Sequence, residues 1–558
     1  MNHIELFAGC GGLALGLESV GFETLLANEL SPMAAETFAY NLLGEDLEGE
    51  SEGESRTSSS ALWLSSSFPR YKLKQRLREN PFTYPSYDLN VGFINSDLPN
   101  NPNDLKGKLL VGSIVDLNKW LGDKDSLKYV EAFKSGFGSN GVDLISGGPP
   151  CQSFSMAGMR RKDCDKNTLP FEFVKFVQIV QPKIVLLENV TGILRAFTET
   201  DPNGKKTSYL AWFEIAKFFG LSGYVPVCLH LNARMVGVAQ NRPRFILVGI
   251  RKDIFDRVKC SPSLSILDDE IFEQSENFYK EVHKVGEDLN FSNELLSVHD
   301  YSKESSLSKI KDSPVFGNLF AQDLSSSVTV KDAIGDLLIN STPNEPSEYI
   351  HYINSELGPY CRNVDLDGEK QNHQKRDNSH RVKVRFRIYQ IIQALGEHSE
   401  SREVAKRLKS LLKGEVDTEI SQKDFSLITS QDFYPLSHME QLVIKKSIKA
   451  FKDFILEFAT KKQTQKALDA NAPAPAALSI PDDACHYSPE ELRTLTVREM
   501  SRIQSFPDNF VFRSKVTTGG QMRKFEVPQY TQVGNAVPPL LARELGITVS
   551  KLLDLIKG

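Results

Sequence analysis

The sequence predicts an α/β fold, a doubly wound and mostly parallel sheet accompanied by a second, smaller domain. Within residues 1–250, short apolar runs ending in Gly, Asp, Asn or Glu alternate with helical patterns, the order in which parallel strands and crossover helices follow one another. These runs show little polar alternation, as strands covered on both faces do. From about residue 252 to 480 the texture changes to mixed charge with few buried-strand runs, which sets a second domain or large insertion apart.

The clearest strand candidates are His3–Phe7, Thr24–Asn28, Val142–Ser146, Lys183–Leu187 and Arg244–Ile250. In such sheets ligands sit beyond the carboxyl ends of the strands, so the residues just after each run carry the functional interest. Two segments read as insertions or linkers. Gly44–Ser60 is acidic and Ser-rich, and Gln463–Ala477 ends in Asn-Ala-Pro-Ala-Pro-Ala-Ala, the composition of a semi-rigid spacer. The expected division is a core over 1–250 with an insertion near 44–107, a second region over 251–484 with its linker near 463–477, and a segment 485–558 that returns to the core. In that last segment Thr496 and Glu499 have capping-box spacing, with Met500 and Ile503 as an apolar stripe, so a helix starts there. A final amphipathic helix is expected from Leu540 to about Ile556.

The chain has 558 residues, enough for roughly three units at about 100–200 residues each. Hydrophobic residues at 40% and charged residues at 25% exclude a chain that is disordered or disulfide-dense throughout. No apolar stretch approaches the ~18 residues of a membrane span, and no basic-then-apolar leader opens the chain. The seven cysteines, at 10, 151, 164, 228, 260, 361 and 485, form no CxxC pair, so no metal site is expected and the thiols read as reduced, in a cytosolic compartment. A net charge of -6 removes global positive charge as a reason to bind nucleic acid. A local cluster could still serve: Lys375, Arg376, Arg381, Lys383, Arg385 and Arg387, interleaved with Phe386 and Tyr389, form either a solvated helix face or a phosphate-contacting one.

Four strand ends carry chemistry. The first strand runs into Phe7-Ala-Gly9-Cys10-Gly11-Gly12, and Glu29 ends the second. A Gly-rich turn followed by an acidic residue fits an adenosine-containing cofactor, although the spacing is not GxGxxG and a structural tight turn would look alike. After Ser146 comes Gly147-Gly-Pro149-Pro-Cys151-Gln. A thiol framed by two prolines beyond a parallel strand sees backbone N–H groups that favour its thiolate, which makes Cys151 the candidate nucleophile. Lys183-Ile-Val-Leu-Leu-Glu188-Asn189 sets a carboxyl group at another strand end. Shielded by apolar neighbours, Glu188 would act as a proton donor; alternatively it pairs structurally with Arg242 or Arg244. Gln240-Asn-Arg242-Pro-Arg244 in turn can hold an anionic group or orient Glu188.

These motifs, in this order and followed by Arg493-Thr-Leu-Thr-Val-Arg498-Glu499 and Gln532-Val-Gly534-Asn535-Ala-Val537, resemble the cytosine-C5 DNA methyltransferases over about residues 1–43, 108–250 and 485–558. The resemblance implies the Rossmann-like core of the class I methyltransferases with a smaller target-recognition domain, and S-adenosyl-L-methionine as cofactor. Phe7 would stack on its adenine, Gly9–Gly12, including Cys10, would approach its methionine end, and Glu29 would bind its ribose. Asn535 and Val537 would close the site from the far end of the chain. Gly112-Ser113-Ile114 stands where the family usually has Gly-Asp-Ile, so Ser113 offers the adenine a weaker, uncharged partner.

By the same resemblance, Cys151 adds to C6 of a flipped-out cytosine while Glu188 acts at N3. Arg244, with Arg242, orients them, and the Pro149–Pro150 backbone accepts from the exocyclic amine. The segment Gln152–Pro170, with Gly158, Arg160, Arg161 and Lys162, would close over the base, and Asn372–Arg387 is the candidate for DNA contact. The implied partners are double-stranded DNA and, in a restriction or phage-defence setting, a cognate restriction endonuclease or other defence proteins; a monomer is expected. Alternatives are a tRNA cytosine-5 methyltransferase, a catalytically silent DNA-binding homologue and, more remotely, a nicotinamide-linked oxidoreductase.

Overall fold

The computed structural model describes residues 1–52, 57–150, 169–200, 206–292, 294–321, 327–338, 345–363, 371–460, 465–476, 480 and 484–557, with backbone alone at 197–200 and 206–209. Cys151 and most of the expected closing segment, 152–168, therefore lie outside the described residues. At the centre is a nine-stranded sheet. In chain order its strands are β1 (Asn2–Leu6), β2 (Glu23–Glu29), β3 (Ala61–Trp63), β4 (Lys108–Val111), β5 (Leu144–Gly147), β6 (Ile184–Val190), β7 (Tyr224–Asn232), β8 (Pro243–Arg251) and β9 (His299–Asp300).

Their spatial order is β9-β7-β8-β6-β5-β1-β2-β4-β3. From β6 through β5, β1, β2 and β4 to β3 every pair is parallel, whereas β8 runs antiparallel to both β6 and β7. The winding reverses between β1 and β5, so their carboxyl ends open a crevice where ligands of such sheets sit. Because β8 is reversed, its beginning lies at that same edge.

Both faces of the sheet are covered, which is why its strands are continuous apolar runs. Successive residues alternate between two cores: Leu186 belongs to one and Leu187 to the other. On one face α1 (Gly12–Glu18) lies against α2 (Pro539–Asp554), the chain's last helix. Glycine permits this approach, since a Cβ at Gly16 would come within 2.3 Å of the Pro539 carbonyl oxygen and 2.4 Å of Ala542 Cβ. Gly16→Ala is therefore expected to push the helices apart and cost about 1–3 kcal/mol, read as a lowered melting temperature. An unchanged melting temperature would mean that the contact relaxes freely.

The region 251–484 contributes to three cores, Phe278, Val282, Leu289 and Leu296 joining the second core of the sheet. Residues 254–357 supply Phe255, Phe272, Phe316, Ile350 and Leu357 to a core of the sheet, while 384–458 build a separate helical core around Phe386, Leu408, Ile428 and Phe451. The Ala-Pro stretch read as a spacer is tied down instead, Ala474 and Pro475 pairing with Gln240 and Asn241. In the insertion, β3 extends the sheet beside β4, and Glu45 accepts from Ser58, Ser59 and Ser60 to close the acidic, Ser-rich loop. The expected capping box is present: Thr496 and Glu499 cap each other's backbone at the helix Val497–Ile503. No helix among the described residues is long and apolar enough to cross a membrane.

Candidate active site

The turn after β1 is conformationally demanding. Phe7, Gly9 and Gly11 all have positive φ, at 55°, 56° and 96°, a region that costs a bulky side chain such as phenylalanine and little for glycine. Gly9 has open space where a Cβ would stand. Its N–H donates to one Glu29 carboxylate oxygen and the Ser31 N–H to the other, each at 2.8 Å. Burial raises the Glu29 pKa, and the bonds from Ser31 and Gly9 offset only part of that rise.

Cys10 and Gly12 serve packing. The Cys10 thiol is buried, faces the Gln532 carbonyl at 3.8 Å and is pushed by that burial up to about 12, so only its backbone is available to a ligand. A Cβ at Gly12 would stand 2.4 Å from the Val537 carbonyl oxygen; the two expected cofactor residues meet directly. Beyond β4, Ser113 is the N-cap of the helix Ile114–Leu121, its hydroxyl accepting from the Val115 N–H at 3.2 Å. A hydroxyl oxygen has two lone pairs, so a second donor can still be accepted. Glu29, Gly112 and Ser113 are neighbours through register, since Glu29 pairs with Val111 and the Gly112 N–H donates to the Glu29 carbonyl.

On the other side of the crevice, β6 carries Glu188 and β8 carries Arg244. Ile246 pairs with Glu188, and Arg244, two residues earlier, projects on the same face. The result is an ion pair of 2.6 Å between Arg244 Nε and Glu188 Oε1, with side chains 10% and 11% exposed. Of the two environments open to Glu188 from sequence, pairing with arginine is the one found. Its other oxygen, Oε2, faces Gly148, where a Cβ would stand 3.0 Å away. The Pro149 carbonyl accepts from Asn189 Nδ2 at 3.1 Å, a contact that the sequence did not reveal.

Arg242 feels the charge of Glu188, while its hydrogen bonds go to the far end of the chain. Its guanidinium donates to the carbonyls of Gly534 and Ala536, at 2.8 and 3.0 Å, and burial lowers its pKa, with Arg244 adding to that effect. It thereby fixes the peptide on both sides of Asn535, whose side chain is exposed in a cleft of about 290 Å³. Gln532, which opens the Gln-Val-Gly-Asn-Ala-Val motif but was given no role of its own, completes this junction by bonding Thr37 at 2.6 Å and the carbonyls of Met33 and Val527 at 3.1 and 3.0 Å.

The basic stretch 375–387 is largely used up internally. Lys375 pairs with Glu491 and Lys383 with Asp377. Arg381, Arg385 and Arg387 donate to the carbonyls of Glu457, Phe458 and Asp432, and Phe386 and Tyr389 are buried in the helical core. No group of three or more His, Cys, Asp or Glu side chains among the described residues could hold a metal ion.

Comparison with known proteins shows the family of the chain. The family model for C-5 cytosine-specific DNA methylase matches residues 1–65 and 124–551. The type II methyltransferase M.DdeI of Desulfomicrobium norvegicum is 26% identical, with 99% of this chain and 88% of that protein covered. M.XorII of Xanthomonas oryzae pv. oryzae, also a type II methyltransferase, is 24% identical over 99% of this chain and 84% of its own length. Among solved structures, the Dnmt2 methyltransferase of S. pombe aligns with a TM-score of 0.38 at 11% identity, covering 99% and 98% of the two chains. The chain belongs to the C-5 cytosine-specific DNA methylase family.

Proposed function

We propose that this protein is a DNA (cytosine-5-)-methyltransferase that modifies a flipped-out cytosine within a specific DNA sequence. The observation that carries the reading is the convergence of the Glu188–Arg244 pair, the Gly148–Pro149 segment that precedes Cys151 in sequence, and the Gly9–Glu29 cradle at one edge of the sheet. The type II relatives M.DdeI and M.XorII support a restriction–modification setting.

S-adenosyl-L-methionine fits the cradle. Gly9 leaves space for a ligand, Phe7 offers a ring, and Glu29 offers a carboxylate whose two oxygens each keep acceptor capacity beyond the one N–H they bind. When bound, this cofactor supplies the methyl group. The residues of the chain then do the rest. A cytosine C5 is too weak a nucleophile unaided, so the Cys151 thiolate adds to C6 while Glu188, protonated on the oxygen not taken by Arg244, donates that proton to N3, which takes up the electron pair displaced from the ring. Arg244 holds the carboxylate in place. Water takes the C5 proton, the Cys151 sulfur leaves as thiolate, and N3 returns its proton to Glu188, which restores the ring. A base stacked in a duplex cannot reach these groups, so it must leave the stack.

The cradle has a pH signature. Ribose hydroxyls donate to the ionised form of Glu29, so cofactor affinity is full above the raised pKa and falls as pH drops through it, above the usual carboxylate range of about 4.3. Glu29→Gln is expected to weaken binding about ten- to hundredfold and to lose this component of the pH dependence. Glu5 and Glu18, also raised by burial, are retained in both proteins. Calorimetry across a pH series decides it, since identical pH curves for the two proteins would remove Glu29 from the cofactor site. The function itself is tested by transfer of labelled methyl groups to duplex DNA and, in parallel, to total tRNA. Label in DNA alone is expected; label in tRNA alone would overturn the choice of substrate.

A further inference from the structure

Of the six cations in the basic stretch 375–387, Arg376 alone is neither paired with a described carboxylate nor used on a backbone carbonyl. It faces the cleft that exposes Asn535. There its Nη2 donates to Thr517 Oγ1 at 3.0 Å and its guanidinium lies 5.7 Å from the centre of the Tyr530 ring. That ring is a fixed platform: Tyr530 is 2% exposed and its hydroxyl donates to the Leu495 carbonyl at 2.7 Å. In the same lining Arg523 is exposed, holds the Thr518 carbonyl through Nε at 3.2 Å, and has no carboxylate partner among the described residues. Among the described residues of the lining the one acid, Glu526, is neutralised by Lys515 at 2.5 Å and accepts from Thr518 Oγ1. Among the described residues the cleft therefore presents two guanidinium groups without a carboxylate partner, and the Thr517 hydroxyl. It lies beside the peptide that Arg242 fixes around Asn535, between the catalytic core and the start of the helical domain.

We propose that this cleft is a phosphodiester-binding site for the target strand, in which Arg376 and Arg523 grip a backbone phosphate close to the cytosine to be methylated. Two guanidinium forks match phosphate oxygens in both charge and geometry, and a phosphate contact fixes register without reading sequence. The inference rests on the DNA methyltransferase reading and names where that enzyme would hold the strand.

The test measures dissociation constants for a labelled pool of random-sequence duplexes over a range of salt concentrations. The proteins compared are wild type, Arg376→Ala, Arg523→Ala, the double variant and Arg376→Lys, with Arg387→Ala, whose native side chain caps the Asp432 carbonyl, as control. The double variant is expected to reduce the slope of log affinity against log salt by about 1, the contribution of the one phosphate it releases, and each alanine variant by part of that. KM for DNA should rise more than kcat falls. Arg376→Lys should recover most of the slope, and the control should keep it. Slopes unchanged in folded Arg376→Ala and Arg523→Ala would overturn the site; should Arg376→Ala not fold, exposed Arg523 carries the test. Where wild type binds no duplex, the methyltransferase reading fails separately. The same titration on total tRNA then decides the cleft, a lost slope keeping it as a phosphate site and an unchanged one removing it.

Discussion

Glu188→Gln is expected to lower kcat/KM for methyl transfer about 10²- to 10⁴-fold, the range lost with a positioned acid–base group. The structure gives the reason. One oxygen of Glu188 is taken by Arg244 at 2.6 Å, which leaves Oε2, beside Gly148, to face a ring nitrogen. An amide keeps the shape, but can neither carry the charge that Arg244 pairs with nor pass a proton. Arg244→Ala should show a smaller loss in kcat together with a loss of stability, because it leaves the Glu188 carboxylate nearly buried without its partner. Single-turnover transfer from labelled cofactor to DNA reads both effects. If Glu188→Gln kept its rate, Glu188 would be a structural half of an ion pair.

The second large effect is on architecture. Arg242→Ala removes the donor for two carbonyls at the carboxyl end of the helix Gln529–Asn535, those of Gly534 and Ala536. Each buried acceptor left without a partner costs roughly 1–3 kcal/mol, against which some desolvation free energy of the buried cation is returned, so a net loss on the order of 2 kcal/mol or more is expected. The same change frees the peptide that carries Asn535 and lets the Gly12–Val537 contact open. Cofactor affinity should therefore fall with the melting temperature. Arg242→Lys, a single point donor, cannot span both carbonyls in the same geometry and should recover only part of either. A stable Arg242→Ala protein with native cofactor affinity would show that the C-terminal segment holds its place unaided.

The strands that set the site were legible because buried strands are apolar runs: His3–Phe7, Thr24–Asn28, Val142–Ser146, Lys183–Leu187 and Arg244–Ile250 all fall on β1, β2, β5, β6 and β8 to within a few residues. Direction was not legible, since a run buried on both faces looks the same either way, and β8 is antiparallel. β7 was hidden by Pro226, which pairs opposite Gly249 within the sheet. Ala474-Pro475 owes its extended pairing to Gln240-Asn241, more than 230 positions earlier, and composition alone suggested a free spacer. The site divides in the same way. Glu188 with Arg244 was one of two readings, and strand register decides it. The role of Arg242 depends on Gly534 and Ala536, and the fate of the basic stretch depends on which carbonyls stand opposite Arg381, Arg385 and Arg387. No local pattern encodes such long-range partners.

The central claim is methylation of cytosine C5 in DNA through Cys151, and bisulfite sequencing tests it most directly. DNA is taken from a methylation-free host that expresses the intact chain and, in parallel, from one that expresses Cys151→Ser at equal level. The account predicts protected cytosines within one short sequence motif for the intact chain and none for the variant, because a serine hydroxyl is far less nucleophilic than a thiolate. Protection that persists in Cys151→Ser would contradict the assignment of the nucleophile. A soluble, well-expressed intact chain that protects no cytosine would contradict the activity itself.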